Sequence, residues 1–284
     1  MRIIADSGST KTNWYILTDE GEVEQFETKG LNPYIVRTGT VYKEIKSNFP
    51  KKKFSPLLVK ELYFYGSGCS GSVQKNLIFA GLERYFPATI IHVFHDLLGA
   101  ARSLWGKEHG LVAILGTGSS TSLYDGKNVS EQVPSLGYIL GDEGSGAYLG
   151  KRLLKNYLEN ELPVPLAKKF HKTYKLDLSG FLEHVYKDEY PNRFLGQMTY
   201  FIKDNLDHPY MLQLVEEAFD AFFEHQILKY QHFLHYKLRC TGSVAWQFQD
   251  ILQASAEKAG IDIDNIVSDP MPGLIEYHNM FLEV

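Results

Sequence analysis

The sequence contains little cysteine, no long apolar run and no excess of positive charge. Its 284 residues include two cysteines, Cys69 and Cys240, which are far apart and form no CxxC pair. A zinc ribbon, a thiol redox motif and a disulfide framework are therefore not expected. No apolar stretch approaches the roughly 20 residues that span a bilayer, so we expect no membrane partner. The net charge of −5 argues against nucleic acid as a partner, because a general nucleic-acid binder needs a basic surface.

The length and composition are typical of a soluble globular protein. Hydrophobic residues make up 44% of the chain and charged residues 22%, and 284 residues suffice for one large domain or two ordinary ones. The N-terminus lacks the pattern of a secretory signal peptide, because Asp6 interrupts its first apolar run. We therefore expect a cytoplasmic protein with reduced cysteines.

The sequence contains the same order of predicted strands and helices twice. Hydrophobic periodicity predicts three strands, a helix, a strand, a helix, a strand and a helix over residues 2–105. The same order then begins again, with NVSEQVPSLGYIL as its third strand, and is interrupted by a helical region at about residues 160–235. An internal repeat of this kind predicts two related α/β domains, at 1–108 and 109–272, which face a ligand-binding cleft.

Two glycine turns occupy equivalent places in the two copies. DSGSTKT ends the first strand and LGTGSS ends its counterpart, so that Gly8 and Gly118 are 110 positions apart. Such a turn exposes backbone N–H groups to an anion, and its glycine can adopt a positive φ. One turn alone is typical of an ordinary hairpin, but the matched pair predicts a polyphosphate site. The candidate phosphate ligands are Gly8, Ser9, Thr10, Lys11, Thr12, Gly116, Thr117, Gly118 and Ser119.

Two aspartates at strand ends are candidates for the chemistry. Asp6 lies just before the first turn, where a carboxylate can help to bind Mg²⁺ beside phosphates. Asp96 ends the apolar strand TIIHVFHD, where a carboxylate can accept the proton of an alcohol during phosphoryl transfer. The structural alternative for Asp96 is an N-cap of the following helix. We interpret the neighbouring His92 and His95 as packing or surface residues.

Three further motifs combine glycine with polar residues. GDEGSG places Asp142 and Glu143 at a strand-to-helix joint, where they either cap the helix or bind sugar hydroxyls. Asn32, in the loop KGLNPY, is placed to contact a polar substrate. The turn TGSVAW contains Gly242 and Ser243, and its glycine allows a base or ribose to approach closely.

One glycine motif supports a different hypothesis. GSGCSG matches the dinucleotide fingerprint, which would make the protein an NAD-dependent oxidoreductase. However, it follows the fourth strand of its unit, whereas a dinucleotide-binding fold carries the fingerprint on its first strand. The oxidoreductase hypothesis stays open as an alternative.

Together the motifs resemble a known family. DSGSTKT and LGTGSS are similar to the two phosphate motifs of the sugar kinase, heat-shock ATPase and actin superfamily, and TGSVA to its adenosine motif. With GLNP, Asp96 and GDEGSG added, the chain is identified as a member of the N-acetylglucosamine kinase family, which is grouped with the benzoyl-CoA reductase activator-type ATPases. The resemblance implies an α/β fold of two ribonuclease H-like (actin-like ATPase) domains that face a cleft, the second with a helical insertion.

The resemblance also implies phosphorylation of the 6-hydroxyl of an amino sugar, with N-acetylglucosamine as the first candidate and with ATP and Mg²⁺ as cofactors. Asp96 would be the catalytic base and Asp6 would bind the metal.

The final helix, at 273–284, is expected to pack against the first domain, and a homodimer is left open. Related kinases have an asparagine where this chain has Ser120, which leaves the exact sugar undetermined. Gly242 and Ser243 would bind adenosine. The residues implied near the sugar are Asn32, Ser120, Gly137, Asp142 and Glu143.

Two other functions share the same superfamily motifs. An activator ATPase of a 2-hydroxyacyl-CoA dehydratase or benzoyl-CoA reductase would bind an iron–sulfur cluster through closely spaced cysteines, which this sequence does not contain. A non-catalytic sensor would bind ATP or a sugar without turning them over. Both hypotheses remain as alternatives to the kinase.

Overall fold

In the computed structural model, which describes residues 1–280, the chain divides into two units. The first contains Met1–Gly106 and the described residues from Pro270 onward, and the second contains Lys107–Asp269. Each unit is built on its own five-stranded sheet, and the two sheets share one strand order. The structure therefore confirms the predicted α/β fold with two actin-like ATPase domains.

The first unit consists of an antiparallel meander followed by strands parallel to the first. The sheet order is β3-β2-β1-β4-β5, in which β2 is antiparallel to both of its neighbours and β4 is parallel to β1 and β5. The elements of residues 1–106 are β1 (Arg2–Ser7), β2 (Lys11–Leu17), β3 (Val23–Lys29), α1 (Thr38–Asn48), β4 (Glu61–Gly66), α2 (Ser72–Glu83), β5 (Ile90–His95) and α3 (Asp96–Trp105), with a short 3₁₀ turn at Pro56–Leu58.

The side-chain pattern of these strands explains how the first sheet is covered. β1 is central and nearly all buried, as expected of its apolar run, whereas β2 alternates and turns Trp14 and Ile16 inward. The core on one face joins these side chains to Ile78 of α2 and Ile45 of α1. Burial of each such aliphatic side chain contributes about 1.5–3 kcal/mol, so the two helices are held mainly by this apolar contact.

The second unit repeats this topology and carries four additional helices. Its sheet order is β10-β9-β6-β7-β8, with β9 parallel to β6 and β10, and β7 antiparallel to its neighbours. Its elements are β6 (Gly110–Leu115), β7 (Ser119–Tyr124), β8 (Val129–Glu131), α4 (Gly137–Leu140), α5 (Gly146–Leu158), α6 (Val164–Tyr174), α7 (Leu178–Lys187), α8 (Pro191–Lys203), α9 (Pro209–His225), β9 (Leu238–Thr241), α10 (Ser243–Gln247), α11 (Gln249–Lys258) and β10 (Ile263–Val267), with 3₁₀ turns at Ile227–Lys229 and Phe233–His235.

The helical insertion packs through aromatic side chains. Phe170 of α6 and Phe181 of α7 are fully buried, and Phe201 of α8 lies edge-on to Phe170 with the ring centroids 5.1 Å apart. Phe219 of α9 belongs to the same apolar core as Leu115 of β6. The insertion is therefore continuous with the core of the second unit.

The predicted third strand of the second unit is wrong over most of its length. Only Val129–Glu131 is in a strand, and Gly137–Leu140 forms a short helix instead. Pro134 has no backbone N–H to donate to a sheet, and Gly137 has a φ of +73°, which a strand does not allow. The chain therefore leaves the sheet after three residues.

The last described helix, α12 (Met271–Asn279), belongs to the first unit although it follows the second in sequence. Met271 and Leu274 pack on Ile4 and Tyr65, on the face of the first sheet opposite to α1 and α2. A Cβ on Gly273 would overlap the backbone of Ser103 in α3, so close packing of the two helices requires glycine there. Residues 281–284 of the predicted final helix lie outside the described residues.

Within residues 1–280, no helix has the length and apolar character that crossing a bilayer requires.

Candidate active site

The first glycine turn joins β1 to β2 and leaves open space above Gly8. The Gly8 N–H donates to the Lys11 carbonyl oxygen at 3.0 Å, which closes the turn. Gly8 does not have the positive φ that the sequence suggested, and a Cβ there would meet no atom closer than the Lys11 carbonyl oxygen at 3.8 Å. Nothing in the described residues requires glycine at this position. The space that a Cβ would fill is thus free for a ligand to approach the backbone.

Two of the predicted phosphate ligands are engaged inside the first unit. The Thr12 hydroxyl is buried, lies 2.8 Å from the Ser7 hydroxyl and donates to the Lys29 carbonyl oxygen at 3.2 Å. Lys11 Nζ lies 2.9 Å from Glu27 Oε1 on the neighbouring strand, and both side chains are exposed. Ser9 is half-buried and Thr10 is exposed, so they lie at the outer side of the turn.

The loop that contains Asn32 is attached to this turn. The Gly30 N–H donates to the Thr10 carbonyl oxygen at 3.0 Å, and the Leu31 N–H donates to Ser7 Oγ at 3.1 Å. A Cβ on Gly30 would collide with the Gly8 carbonyl oxygen, so this attachment requires glycine. The Asn32 side chain is therefore held close to the first turn.

The GSGCSG loop lies on the other side of Asn32. Its Ser67 N–H donates to the Ser7 carbonyl oxygen at 2.8 Å. Gly68 has a φ of +78°, and a Cβ there would lie 2.7 Å from Asn32 Oδ1. The loop thus helps to build the Asn32 site, a role that the sequence did not predict. The glycine spacing of GSGCSG was the sequence signal that could have predicted this role. In the structure, Gly68 allows the loop to approach the Asn32 side chain closely.

Asp96 lies at the same edge of the first sheet. Because β1, β4 and β5 are parallel, their carboxyl ends coincide, and the register aligns Ser7 with Gly66 and Gly66 with His95. Asp96 is the first residue of α3, one position after the N-cap, and its carboxylate accepts the Leu97 N–H at 2.8 Å. Asp96, the first turn and Asn32 are therefore brought to one edge by the topology of a single unit.

Asp6 lies one residue before the end of β1 and is half-buried. Within residues 1–280, no group of three or more histidine, cysteine, aspartate or glutamate side chains is arranged to hold a metal. One carboxylate is enough for Mg²⁺, which binds to proteins through one or two carboxylates and completes its shell with phosphate and water oxygens.

The second glycine turn, between β6 and β7, is attached to the start of α5. The Gly146 N–H donates to the Gly116 carbonyl oxygen at 2.8 Å, and the Ala147 N–H donates to that of Thr117 at 3.0 Å. Gly116 has no positive φ and no atom within 4 Å of an added Cβ, so it too borders open space. Ser119 Oγ is buried and has no hydrogen-bond partner in the described part of the chain. A bound phosphate would supply an acceptor for such a group.

Asp142 lies against this second turn in a strained and buried position. Its φ is +57°, and only 7% of the residue is exposed. Burial raises the pKa of the Asp142 carboxyl to about 6, although the backbone N–H of Ser119 donates to it and opposes the shift. A Cβ on Gly118 would lie 2.8 Å from Asp142 Oδ2, so glycine is needed for this contact. Strained, buried carboxylates of this kind concentrate at functional sites.

The capping interpretation does not apply to the two acidic residues of GDEGSG. Ser145 is the N-cap of α5, and its hydroxyl accepts the Tyr148 N–H at 3.2 Å. Glu143 is half-buried in the same loop. Gly137 begins α4, and Ser120 is a half-buried residue of β7 paired with Ile114.

The turn after β9 is packed against the second glycine turn. Gly242 has a φ of +117°, and a Cβ there would collide with the Leu115 carbonyl oxygen. Ser243 is exposed at the start of α10. Thr241 Oγ1 is buried and, among the described residues, has no hydrogen-bond partner. The second unit thus brings the predicted phosphate and adenosine motifs together.

The two cysteines are poorly suited to hold an iron–sulfur cluster. Both are buried and each lies in a different unit. Burial raises the pKa of each thiol to about 12, and for Cys69 the charge of Asp96 adds to this effect. Cluster ligation requires thiolates, which these environments disfavour.

Comparison with known proteins finds solved structures that are similar to this chain. No protein-family model matches it. A candidate N-acetylglucosamine kinase from Porphyromonas gingivalis has 36% sequence identity, a TM-score of 0.93 and 99% coverage of both chains. A candidate N-acetylglucosamine kinase from Chromobacterium violaceum has 18% identity, a TM-score of 0.70 and coverage of 97% and 98%. A ROK family glucokinase from Streptomyces griseus, solved with glucose and AMPPNP, has 13% identity, a TM-score of 0.58 and 98% coverage of both chains.

Proposed function

Because the chain belongs to the N-acetylglucosamine kinase family, we propose that it transfers the γ-phosphoryl group of ATP to the 6-hydroxyl of an amino sugar, with N-acetylglucosamine as the first candidate. The observation that carries this proposal is the position of Asp96. Its carboxylate lies at the sheet edge that also holds the first glycine turn and the Asn32 loop. Phosphoryl transfer to an alcohol needs a base, a turn that binds phosphate and a polar loop that binds the substrate.

In the proposed reaction, Asp96 accepts the proton of the sugar 6-hydroxyl while the sugar oxygen forms a bond to the γ-phosphorus. The bond between that phosphorus and the bridging oxygen of ADP breaks, so the products are ADP, a sugar 6-phosphate and a proton on Asp96. The proton then passes to water. A carboxylate in this position orients the hydroxyl as well as accepting its proton, because phosphoryl transfer depends mainly on position and charge stabilisation.

The residues around each glycine turn suit a phosphate group. Gly8 and Gly116 border open space, and Ser119 Oγ and Thr241 Oγ1 are buried donors with no partner in the described residues. Backbone N–H groups of the turns and the nearby hydroxyls would bind the phosphates, while Gly242 and Ser243 would border the adenosine. Mg²⁺, held by Asp6 with phosphate and water oxygens, would supply neutralisation of the phosphate charge.

Polar groups from the loops would hold the sugar. Asn32 is the candidate sugar contact in the first unit, and the candidates in the second unit are Asp142, Glu143, Gly137 and Ser120. The glucokinase with the same fold was solved with glucose and AMPPNP, so this fold accommodates a sugar and an ATP analogue. That structure supports the class of reaction, and the amino sugar is inferred from the Porphyromonas gingivalis relative.

The test is turnover of ATP against a panel of sugars that includes N-acetylglucosamine, glucosamine, N-acetylmuramic acid and glucose. We expect sugar-dependent ADP release with N-acetylglucosamine and a 6-phosphate product by NMR. Asp96→Asn is expected to lower kcat by about 100-fold or more, because general base catalysis contributes 10²–10⁴-fold. Its ATP affinity by calorimetry should remain close to that of the wild type.

Asp250→Asn is the matched control, since Asp250 is exposed on α11. It should leave both measurements unchanged. ATP binding without turnover of any sugar would instead favour the sensor hypothesis, and full turnover in Asp96→Asn would remove Asp96 from the mechanism. Thermal stabilisation by NAD but not by ATP would favour the oxidoreductase.

A further inference from the structure

The short helix α4 belongs to the candidate sugar site but has few apolar contacts of its own. None of its four residues is buried, and Ile139 and Leu140 are 69% and 74% exposed. Tyr138 packs against the core of the second unit but is only half-buried. Asp142, shortly after the helix, has a φ of +57°, which a non-glycine residue keeps only where its surroundings hold it. Because apolar burial contributes little here, polar contacts from other elements matter more.

Lys151 of α5 supplies such a contact to α4. Its Nζ donates to the carbonyl oxygen of Tyr138 at 2.8 Å. The last carbonyl groups of a helix have no N–H partner within that helix, and a lysine side chain can take the place of the missing donor. The ammonium group also lies over the ring of Tyr148, 5.6 Å from its centroid, which favours this position of the half-buried lysine.

The helix that carries Lys151 is itself fixed to the second glycine turn. The first residues of α5, Gly146 and Ala147, donate their N–H groups to the carbonyl oxygens of Gly116 and Thr117. Its inward side chains Leu149 and Leu153 are fully buried in the core of the second unit. The contact from Lys151 therefore sets the position of α4 relative to the predicted phosphate turn of the same unit.

Lys151 also lies close enough to Asp142 to affect its ionisation. Burial raises the pKa of the Asp142 carboxyl, and the positive charge of Lys151 acts in the opposite direction. Asp142 follows α4 and Gly137 begins it, and the Gly141 N–H donates to the Gly137 carbonyl oxygen at 2.8 Å. One ammonium group is thus linked to both of the candidate sugar residues at the ends of this helix.

We infer that Lys151 is a positioning residue for the amino sugar: through the Tyr138 carbonyl oxygen its ammonium group holds α4, and with it Gly137 and Asp142, in place on α5. This inference rests on the proposed function, which takes Gly137 and Asp142 as sugar contacts. Lys151 acts through these residues and needs no contact with the sugar. A segment that is already ordered loses less conformational freedom when the sugar binds, so the contact strengthens sugar binding rather than the transfer step.

The kinetic test separates sugar binding from catalysis. Lys151→Met keeps the length of the side chain but removes its donors and its charge. We expect this variant to raise KM for N-acetylglucosamine about 10-fold, the scale of one hydrogen bond from a charged donor, with kcat and KM for ATP unchanged. Lys151→Arg retains both the charge and the donors, so its KM for the sugar should stay within a few-fold of the wild type.

Lys155→Met is the matched control, because it removes a lysine from the same helix one turn further on. Lys155 is exposed, and its Nζ pairs with Glu159 of the same chain segment at 2.6 Å. All three kinetic constants of this variant should equal those of the wild type. A KM for the sugar that is unchanged in Lys151→Met, or that rises equally in Lys151→Met and Lys155→Met, would overturn the inference. Equal increases in KM for the sugar and for ATP would also overturn it.

Amide hydrogen exchange tests the anchoring of α4 without relying on turnover. In Lys151→Met, the amides of residues 137–142 should exchange faster than in the wild-type protein, while those of α9 should not change. Lys151→Arg and Lys155→Met should show wild-type exchange in both segments. Unchanged exchange over residues 137–142 in Lys151→Met, or equally fast exchange in Lys151→Arg, would overturn the inference whatever the kinetics show. Absence of sugar-dependent turnover in the wild-type protein would instead contradict the proposed function.

Discussion

At the scale of single residues, the buried carboxyl of Asp142 lowers the stability of the folded protein at neutral pH. Its folded-state pKa of about 6 lies above the ordinary value of 3.8 because burial disfavours the charged form. The folded protein therefore binds this proton more tightly than the unfolded chain does. The stability that this group contributes is complete at pH values below about 3.8 and is lost as the pH rises through 6.

We predict that Asp142→Asn stabilises the second unit at pH 8 and has little effect on its stability near pH 4. The gain should approach about 3 kcal/mol above pH 6, from 1.36 kcal/mol for each pKa unit. Urea unfolding at both pH values measures the difference, and the exposed Asp250→Asn serves as the control. A gain of the same size at pH 4 would contradict the assigned cause. The variant should also bind the sugar less tightly if Asp142 contacts it.

At the scale of elements, the glycines of the turns have two distinct reasons to be glycine. Gly30 and Gly242 are required by the packing of the protein itself, since a Cβ on either would collide with a backbone carbonyl oxygen. Gly8 and Gly116 have neither a close neighbour nor a positive φ. The packing of the free protein therefore gives no reason for glycine at these two positions, and we propose that a ligand is the reason.

We predict that Gly8→Ala folds normally but binds ATP about 10-fold or more weakly, because its methyl group occupies the space a phosphate would approach. Gly39→Ala is the matched control, as Gly39 lies in α1 with nothing within 4 Å of an added Cβ. It should leave ATP binding unchanged and stabilise the protein by up to about 1 kcal/mol. Calorimetric titration and thermal unfolding of both variants provide the measurements. Normal ATP affinity in Gly8→Ala would exclude the first turn from the nucleotide site.

At the scale of the whole molecule, the first unit is completed by a helix from the end of the chain. His278 of α12 is buried, and its Nε2 lies 2.9 Å from the hydroxyl of Tyr65 in β4. Arg102 of α3 donates to the same hydroxyl at 2.8 Å, so the Tyr65 hydroxyl must donate its own proton to Nε2. The contact therefore needs neutral His278. Burial, with the nearby charges of Arg102 and Arg2 and the ring of His92, lowers the pKa of His278 to about 3.

We predict that acid weakens this attachment before it affects most carboxylates. The folded-state pKa of about 3 lies below the ordinary 6.5, so the stabilising effect is complete above pH 6.5 and declines as the pH falls towards 3. Stability of the first unit should fall by about 1.4 kcal/mol per pH unit below pH 6 from this group alone. His278→Gln keeps a side-chain acceptor and should lack this slope. Urea unfolding at pH 5, 6 and 7 measures both slopes, and equal slopes would contradict the prediction.

Local sequence determined most of the fold. The repeated element order follows from hydrophobic periodicity, and the glycine turns and the position of Asp96 follow from residues adjacent in sequence. The error in the third strand of the second unit occurred where Pro134 and Gly137 end the strand early. The apolar residues beyond that point continue a strand pattern, but the backbone cannot.

Only the tertiary structure decided which residues belong together. Asp142 is buried on the second turn, and His278 is hydrogen-bonded to Tyr65, which is far away in the sequence. Gly30 must be glycine because the path of its loop brings it against the first turn. Periodicity and turn propensity act within a few residues, whereas desolvation and close backbone approach depend on what the fold brings into contact. For this reason the sequence predicted candidate residues for the chemistry, and the packing of each unit shows which contacts hold those residues in place.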